Sequence, residues 1–467
     1  MSGTEPTIGE HAIVIGASVG GLLAARALTE AYDRVTIIER DQLPATAQSR
    51  KGVSQGRHAH VLLPSGQRVL EELFVGLADE VVADGGVRFR TSAFRPVFGG
   101  HAFCRADVGT ALSVSRPFLE AHIRRRVVAL DNVTIIERCE VVGPTTDGSR
   151  VTGVRARRRQ AGSAEEAVDA ELVVDASGRG GRALTWLDGL GYERPPEDEL
   201  RVGVRYATRH LRLREGALGD DRAVGVGAVP GRPTGMYAAA QEHGWWICTL
   251  FGYEAHPPST EPGQFNRFLG SLAPADVAAA VEAAEPLTDV VTHAFPSNLW
   301  RRYDKLRRFP AGLLVFGDAI CSFNPIYGQG MSVAALEAIV LRRELARAQQ
   351  RGQGGVDWRR FFRGVRRPIS DAWDLATGAD LALPEVPGRR PLKVKLLGYY
   401  VDRVQRAAHV DPAVAAAFLR VTALLDRPPA LLRPSIMVRA IRHGGSRTAA
   451  PEPSTLTHPA PISDPRV

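Results

Sequence analysis

Three glycine-punctuated segments hold the residues best suited to chemistry in this chain. The first is Gly16-Ala17-Ser18-Val19-Gly20-Gly21, and Glu39 follows at the end of the next apolar run. The second is Asp175-Ala176-Ser177-Gly178-Arg179-Gly180. The third joins Gly317-Asp318 to Asn324-Pro325-Ile326-Tyr327-Gly328-Gln329-Gly330-Met331. Glycines let backbone approach an anion closely or lie flat against a planar ring. The carboxylates can accept hydrogen bonds from sugar hydroxyls.

The first motif departs mildly from GxGxxG, because Ser18 replaces the middle glycine. Gly16 makes the tight turn, and Gly21 lets the following helix pack on the strand. Free N–H groups at that helix start suit a pyrophosphate. Glu39 favours ribose hydroxyls and argues against a 2′-phosphate, hence against NADP at this site. Asp175 can either pin its glycine turn or contact a ligand. Asp318 suits a ribityl chain. Pro325 forms a stiff wall without an N–H, and Gly328 and Gly330 leave room for a ring. The helix starting near Met331 points its positive end at that ring. In this order, the three motifs describe one long dinucleotide held by distant segments, and FAD fits best.

The elements that must position these groups can be read locally. Ala12–Ile15 and Val35–Glu39 read as buried strands around a helix over Leu22–Glu30, a βαβ opening. Helices are expected over 65–73 and 116–130, and a strand over 133–136. Asp147-Gly148 marks a hairpin turn. Leu172-Val173-Val174 and 313–316 read as further buried strands. Val333, Leu336 and Val340 mark one face of a helix. Between 186 and 300, apolar and polar residues alternate, as in an antiparallel sheet. Asp411-Pro412 starts a helix whose stripe is Val414, Phe418, Val421 and Leu425.

The expected fold class is therefore α/β: a Rossmann-like FAD-binding domain, an inserted antiparallel β-sheet substrate domain and a helical C-terminal region. The expected boundaries are 10–185 and 301–375 for the FAD-binding parts and 186–300 for the substrate domain. C-terminal helices are expected over 376–443, and a disordered tail over 444–467.

Composition narrows the class. The chain has 467 residues, 44% hydrophobic and 24% charged, ordinary for a globular protein of several domains. The net charge is +8 and the pI about 9.6. Lysine occurs only at 51, 305, 393 and 395, and the arginines are scattered along the sequence. No nucleic-acid partner is expected from that pattern. The four cysteines are far apart, with no zinc spacing, so no metal and no disulfide is expected. No leader peptide and no apolar run of about 18 residues is read. A cytoplasmic setting without membrane contact is expected, with a packed helix over 431–441.

The FAD, DG and GD motifs, in this order, resemble those of class A flavoprotein monooxygenases, the p-hydroxybenzoate hydroxylase-like group. The resemblance covers roughly residues 10–375. The segments Lys51-Gly-Val-Ser-Gln-Gly-Arg-His-Ala-His60 and Phe323–Met331 look most like bacterial epoxidases of polyether biosynthesis, relatives of squalene epoxidase. Ser54 is a minor departure from that pattern. The resemblance implies noncovalent FAD, reduction by NADH or NADPH or through a flavin reductase, and reaction with O2 to a C4a-hydroperoxide. That species would oxygenate a polyketide, terpenoid or aromatic metabolite, by epoxidation or hydroxylation. It also implies that Arg116 contacts the cofactor, and that Arg57 and His58 lie beside the flavin. Arg40, Lys51 and Gln329 join the implied cofactor set. His210, Trp245, Trp246 and Tyr253 fall in the sheet expected to roof a small-molecule substrate. An FAD-dependent alkene reductase of the geranylgeranyl reductase type shares the scaffold. A flavin-dependent halogenase shares the first motif, but Gly244-Trp245-Trp246-Ile247-Cys248 lacks its WxWxIP signature.

Overall fold

The computed structural model describes residues 7–50 and 52–445, so Lys51 and the 446–467 part of the expected tail lie outside it. Five short apolar runs form one parallel sheet. Its strand order is Leu313–Val315, Leu172–Asp175, Gly9–Ile15, Tyr32–Ile38 and Val133–Ile136. Residues 12–14 and 172–175 are buried on both sides, which is why they read as continuous apolar runs. The Asp147-Gly148 turn joins two strands of a small antiparallel sheet, with Gly148 at φ +99°.

A second, nine-stranded sheet grows around the long strand Glu197–Arg212, flanked antiparallel by Val291–Arg301 and Trp246–Tyr253. Two strands from the first cofactor segment, Phe94–Phe98 and His101–Ala102, extend this sheet at its other edge. The sheet is therefore wider than the 186–300 insert. At the opposite edge, Cys321–Ser322 pairs with Leu299 and Trp300. That pairing begins three residues after Asp318, so the third motif is stitched between the two sheets.

The helix Gly330–Gln350 differs from the one-faced pattern. Val333 is buried, but Leu336 and Val340 are only partly so, while Ala335, Ala338 and Leu341 are fully buried. The cause is packing against three helices at once: Val19–Leu28, Pro64–Leu73 and Trp358–Ala382. A third layer of helices follows: Leu392–Ala408, Pro412–Thr422 and Pro434–His443. Asp411 caps the second of these, accepting from the Ala413 and Val414 N–H groups at 2.9 and 3.3 Å. Val414, Phe418 and Val421 then join Val404 and Phe103 in a separate core.

The first turn requires its glycines. Gly16 sits at φ +100°, where a Cβ would lie 2.9 Å from the Ala176 carbonyl oxygen. A Cβ on Gly21 would overlap the Gly16 carbonyl oxygen, whereas one on Gly20 would meet nothing nearer than Phe316 at 3.9 Å. Gly21→Ala is expected to destabilise the protein by about 3 kcal/mol or more, since backbone must move. Gly20→Ala should stay within about 1 kcal/mol of the parent. Thermal unfolding of both apoproteins checks this, and equal melting temperatures would refute it.

Candidate functional site: a dinucleotide cradle and an apolar cavity

All three motifs end at the same edge of the parallel sheet, the carboxyl end where open α/β sheets bind ligands. Gly16 backs onto Ala176, and Gly20 faces Phe316. Asp318 stands beside the first residue of the helix Gly330–Gln350, its Oδ1 3.8 Å from where a Gly330 Cβ would be. Gln55 from the basic loop lies close enough to Asp318 to favour its charged form. Burial raises the Asp318 pKa above the usual carboxylate range, with Arg116 and Arg179 pulling against it. Neither helix start facing this edge has a capping side chain or an acidic first turn. Their first N–H groups are left for an anion.

Arg116 opens the helix Arg116–Val128 and donates to Ser18 Oγ at 2.8 Å. Its position is fixed from the second sheet. Glu242 accepts from the Ser115 N–H at 2.8 Å and from the Ser115 hydroxyl at 2.6 Å. Ser18 in turn donates to Glu120 at 3.0 Å. Glu39 is buried at the end of its strand and accepts from the N–H groups of Ala17 and Asp41 at 2.8 and 2.9 Å. Arg50 bridges Glu39, Asp41 and Glu120 at 3.1–3.2 Å. Arg116 Nε and Arg50 Nη2 are buried without a hydrogen-bond partner, although Arg116 Nε stands 3.9 Å from a Glu120 oxygen. Two spare N–H donors beside a glycine turn and an open helix start fit the pyrophosphate and ribose of FAD.

Two of the expected residues have fully or nearly fully buried side chains. Asp175 is fully buried, accepting from the Ser177 N–H at 3.0 Å, from the Ser177 hydroxyl and from the Ala183 N–H at 3.2 Å. It pins the turn in which Gly178 adopts φ +83°, and no ligand can reach it. Met331 is buried in the main core, so it can offer only its backbone. Arg40 and Arg57 are exposed, Arg57 at the end of a single 3₁₀ turn outside the cavity lining. His210 shares the strand face of Tyr206 and Thr208, but lies past the cavity with its ring 4.4 Å from Trp245. Neither His210 nor Trp245 lines the large open space beside this sheet.

That space is a cavity of about 1520 Å³ between the second sheet, the Pro325–Gln329 loop and the C-terminal helices. It exceeds the roughly 300–1,000 Å³ of pockets for one drug-sized molecule. A cofactor ring and a second molecule can share it. Phe89, Phe94, Met236, Phe251 and Tyr253 give it apolar walls. His58 turns inward, its Nδ1 2.8 Å from Thr208 Oγ1 and its ring 5.4 Å from His293. Burial, and then His293, pushes the His58 pKa down to about 4. Burial, and then Arg116, pushes His60 down to about 3. Both imidazoles are neutral at physiological pH.

Sequence reading missed the group that fixes the cofactor-side loop. Asp380, inside the helix Trp358–Ala382, is fully buried and in no ion pair among the described residues. Its carboxylate accepts from the hydroxyls of Tyr253 and Tyr327 at 2.8 and 2.7 Å. It also accepts from the amides of Asn298 and Asn324 at 2.6 and 3.1 Å. Asn324 Oδ1 accepts from the Tyr206 hydroxyl at 2.6 Å, and the Asn324 N–H donates to Asn298 Oδ1 at 2.6 Å. The loop is thus bolted to both the sheet and the helix. Nothing local singles it out, since the same helix also carries Asp371 and Asp374. Among the described residues, no group of three His, Cys, Asp or Glu is placed to hold a metal.

Comparison with known proteins agrees with this geometry. The family profile "FAD dependent oxidoreductase" matches residues 12–214. The chain is 37% identical over 457 residues to Protein Rv3254 of Mycobacterium tuberculosis, covering 95% of each chain. It belongs to the FAD-dependent oxidoreductase family. It is 26% identical over 391 residues to kynurenine 3-monooxygenase of Salinispora arenicola, covering 79% of each. Its fold is that of the flavin-dependent brominase Bmp2, with a TM-score of 0.65 at 16% identity, covering 93% of this chain and 98% of that one.

Two outcomes follow. Arg116→Ala should weaken FAD binding by about tenfold or more, since a charge-assisted hydrogen bond contributes roughly 1.5–3 kcal/mol. Titration of apoprotein with FAD reads this, and an unchanged affinity would remove Arg116 from the site. Asp380→Ala should cost about 3 kcal/mol or more, because four buried donors lose their acceptor. A melting temperature equal to the parent's would show that the network holds nothing.

Proposed function

We propose that the protein is an FAD-dependent monooxygenase that places one oxygen atom from O2 on an apolar polyketide, terpenoid or aromatic metabolite, with NADH or NADPH as electron donor. The observation that carries this reading is the large apolar cavity ending on the Pro325–Gln329 loop. FAD bound in the cradle would supply the redox and oxygen chemistry.

The chain's own residues orient and exclude. Pro325 and Gly328 form a backbone wall, and Gly328 sits at φ +64° with Val61 behind it. Gln329 is buried with its Oε1 unpartnered, an acceptor available to a cofactor ring N–H. His58 and His60, being neutral, present no charge to the reacting carbon. Asp380 is spent on four donors, so no free carboxylate base faces the cavity there. Alkene epoxidation needs shape and dryness rather than an acid–base pair. The similarity to kynurenine 3-monooxygenase supports the reading. The fold shared with a brominase keeps a halogenase as the second reading.

The test is NAD(P)H oxidation with candidate polyene and aromatic substrates under ¹⁸O₂, followed by product mass. One labelled oxygen in the product is expected. Saturation of an alkene without O2 would instead mark a reductase, and a halide-dependent mass a halogenase. The product yield should show no imidazole titration between about pH 6 and 8. A limb in that range that disappears in His58→Ala would overturn the neutral-imidazole account.

A further inference from the structure

Residues 389–445 carry eleven Lys and Arg against three Asp, a balance equal to the +8 of the whole chain. Scattered as the arginines are along the sequence, the excess positive charge therefore sits on one helical layer. The same layer holds the exposed apolar surface. Among the large exposed hydrophobic side chains of the described residues, only Val75 and Val128 lie outside 392–441. Leu392, Leu396 and Tyr399, at i, i+4 and i+7, form one stripe on the helix Leu392–Ala408, and each is more than half exposed. Arg403 continues the stripe and donates to the Ile441 carbonyl at 2.9 Å. It thereby joins the stripe to Val438 and Ile441 of the helix Pro434–His443, also more than half exposed. Arg389, three residues before Leu392, and Arg442, next to Ile441, are exposed and in no ion pair among the described residues. The helix expected to be packed over 431–441 buries only Leu431 and Ala440.

We propose that this face docks on the surface of an anionic lipid bilayer. Apolar side chains ringed by basic ones on short helices are the pattern of an interfacial contact, and anionic headgroups supply the complementary charge. No described helix is long and apolar enough to cross a membrane, so the contact is peripheral. The cavity opens at the same place: Leu397, Tyr399 and Leu432 are exposed and also line it. Docking therefore sets the cavity mouth against the lipid, giving an apolar substrate a path that avoids water. The docking itself rests on the charge and the apolar face, not on the reaction proposed above.

The experiment is co-sedimentation of the full-length holoprotein with phosphatidylcholine vesicles, with and without phosphatidylglycerol. Binding is expected only with phosphatidylglycerol, falling as salt rises. Leu396→Glu with Val438→Glu should weaken it about tenfold or more, as should Arg389→Glu with Arg442→Glu. All four side chains lie outside the cradle and the cavity, so FAD content and melting temperature should hold. Absence of binding to either vesicle, or equal binding to both, overturns the proposal. So does a concentration-dependent dimer that Leu396→Glu abolishes, because the face would then belong to a second copy.

Discussion

The Gly16 carbonyl and the backbone of the helix that follows lie closer than any side chain at position 21 would permit. That contact sets how deep the helix Val19–Leu28 sits on the sheet. The helix places Ser18, and Ser18 is where Arg116 and Glu120 meet. The helix also packs on Gly330–Gln350, whose start stands beside Asp318. A shift of the first turn would therefore move the two helix starts, the arginine and the carboxylate together. Backbone-to-backbone contact is stiff, and this is its use: a charged ligand meets donors that need not reorganise.

The other end of the site is held by a different kind of interaction. Asp380 keeps a carboxylate in the interior with no ion pair among the described residues, and burial raises its pKa while four hydrogen bonds pull it back. Such a network is costly when incomplete and rigid when complete. Its members come from two sheet strands, the cofactor-side loop and a helix beyond the 12–214 family match. The loop is shaped partly by Gly328 and partly by these bonds. Its position thus depends on the C-terminal half of the chain as much as on its own motif.

This difference explains what could be read from the sequence. The parallel sheet and its glycine turns were legible because a buried strand, a φ > 0 glycine and a helix start are written in adjacent residues. The convergence of the three motifs followed from strand ends alone. Asp380 was not legible, because its partners lie 53 to 127 residues away and nothing local marks a buried acid. Asp175 was open to two readings, and only burial decides that it holds the turn. His210 lies off the cavity for a related reason. Its strand parity is right, but parity tells which face a residue takes, not where along the strand a cavity stops. Helix periodicity likewise marked Val333 but not the packing of Gly330–Gln350 on three sides.

Charge shows the same limit. Counted along the chain, the arginines look evenly spread, and many are neutralised where they fold: Arg50 by three carboxylates, Arg302 by Asp198 and Asp304. Outside 389–445 the charges cancel, so what remains is set by the helical layer. The cavity connects these two regimes. At its inner end, Arg50 is ringed by carboxylates, His58 and His60 are neutral, and the loop is held by the hydrogen bonds of Asp380, which keeps net charge low there. At its outer end, apolar side chains and unpaired arginines face outward, at a cost the fold has no internal reason to bear. The inner end is organised to hold a molecule away from water, and the outer end to meet something that is neither water nor this chain.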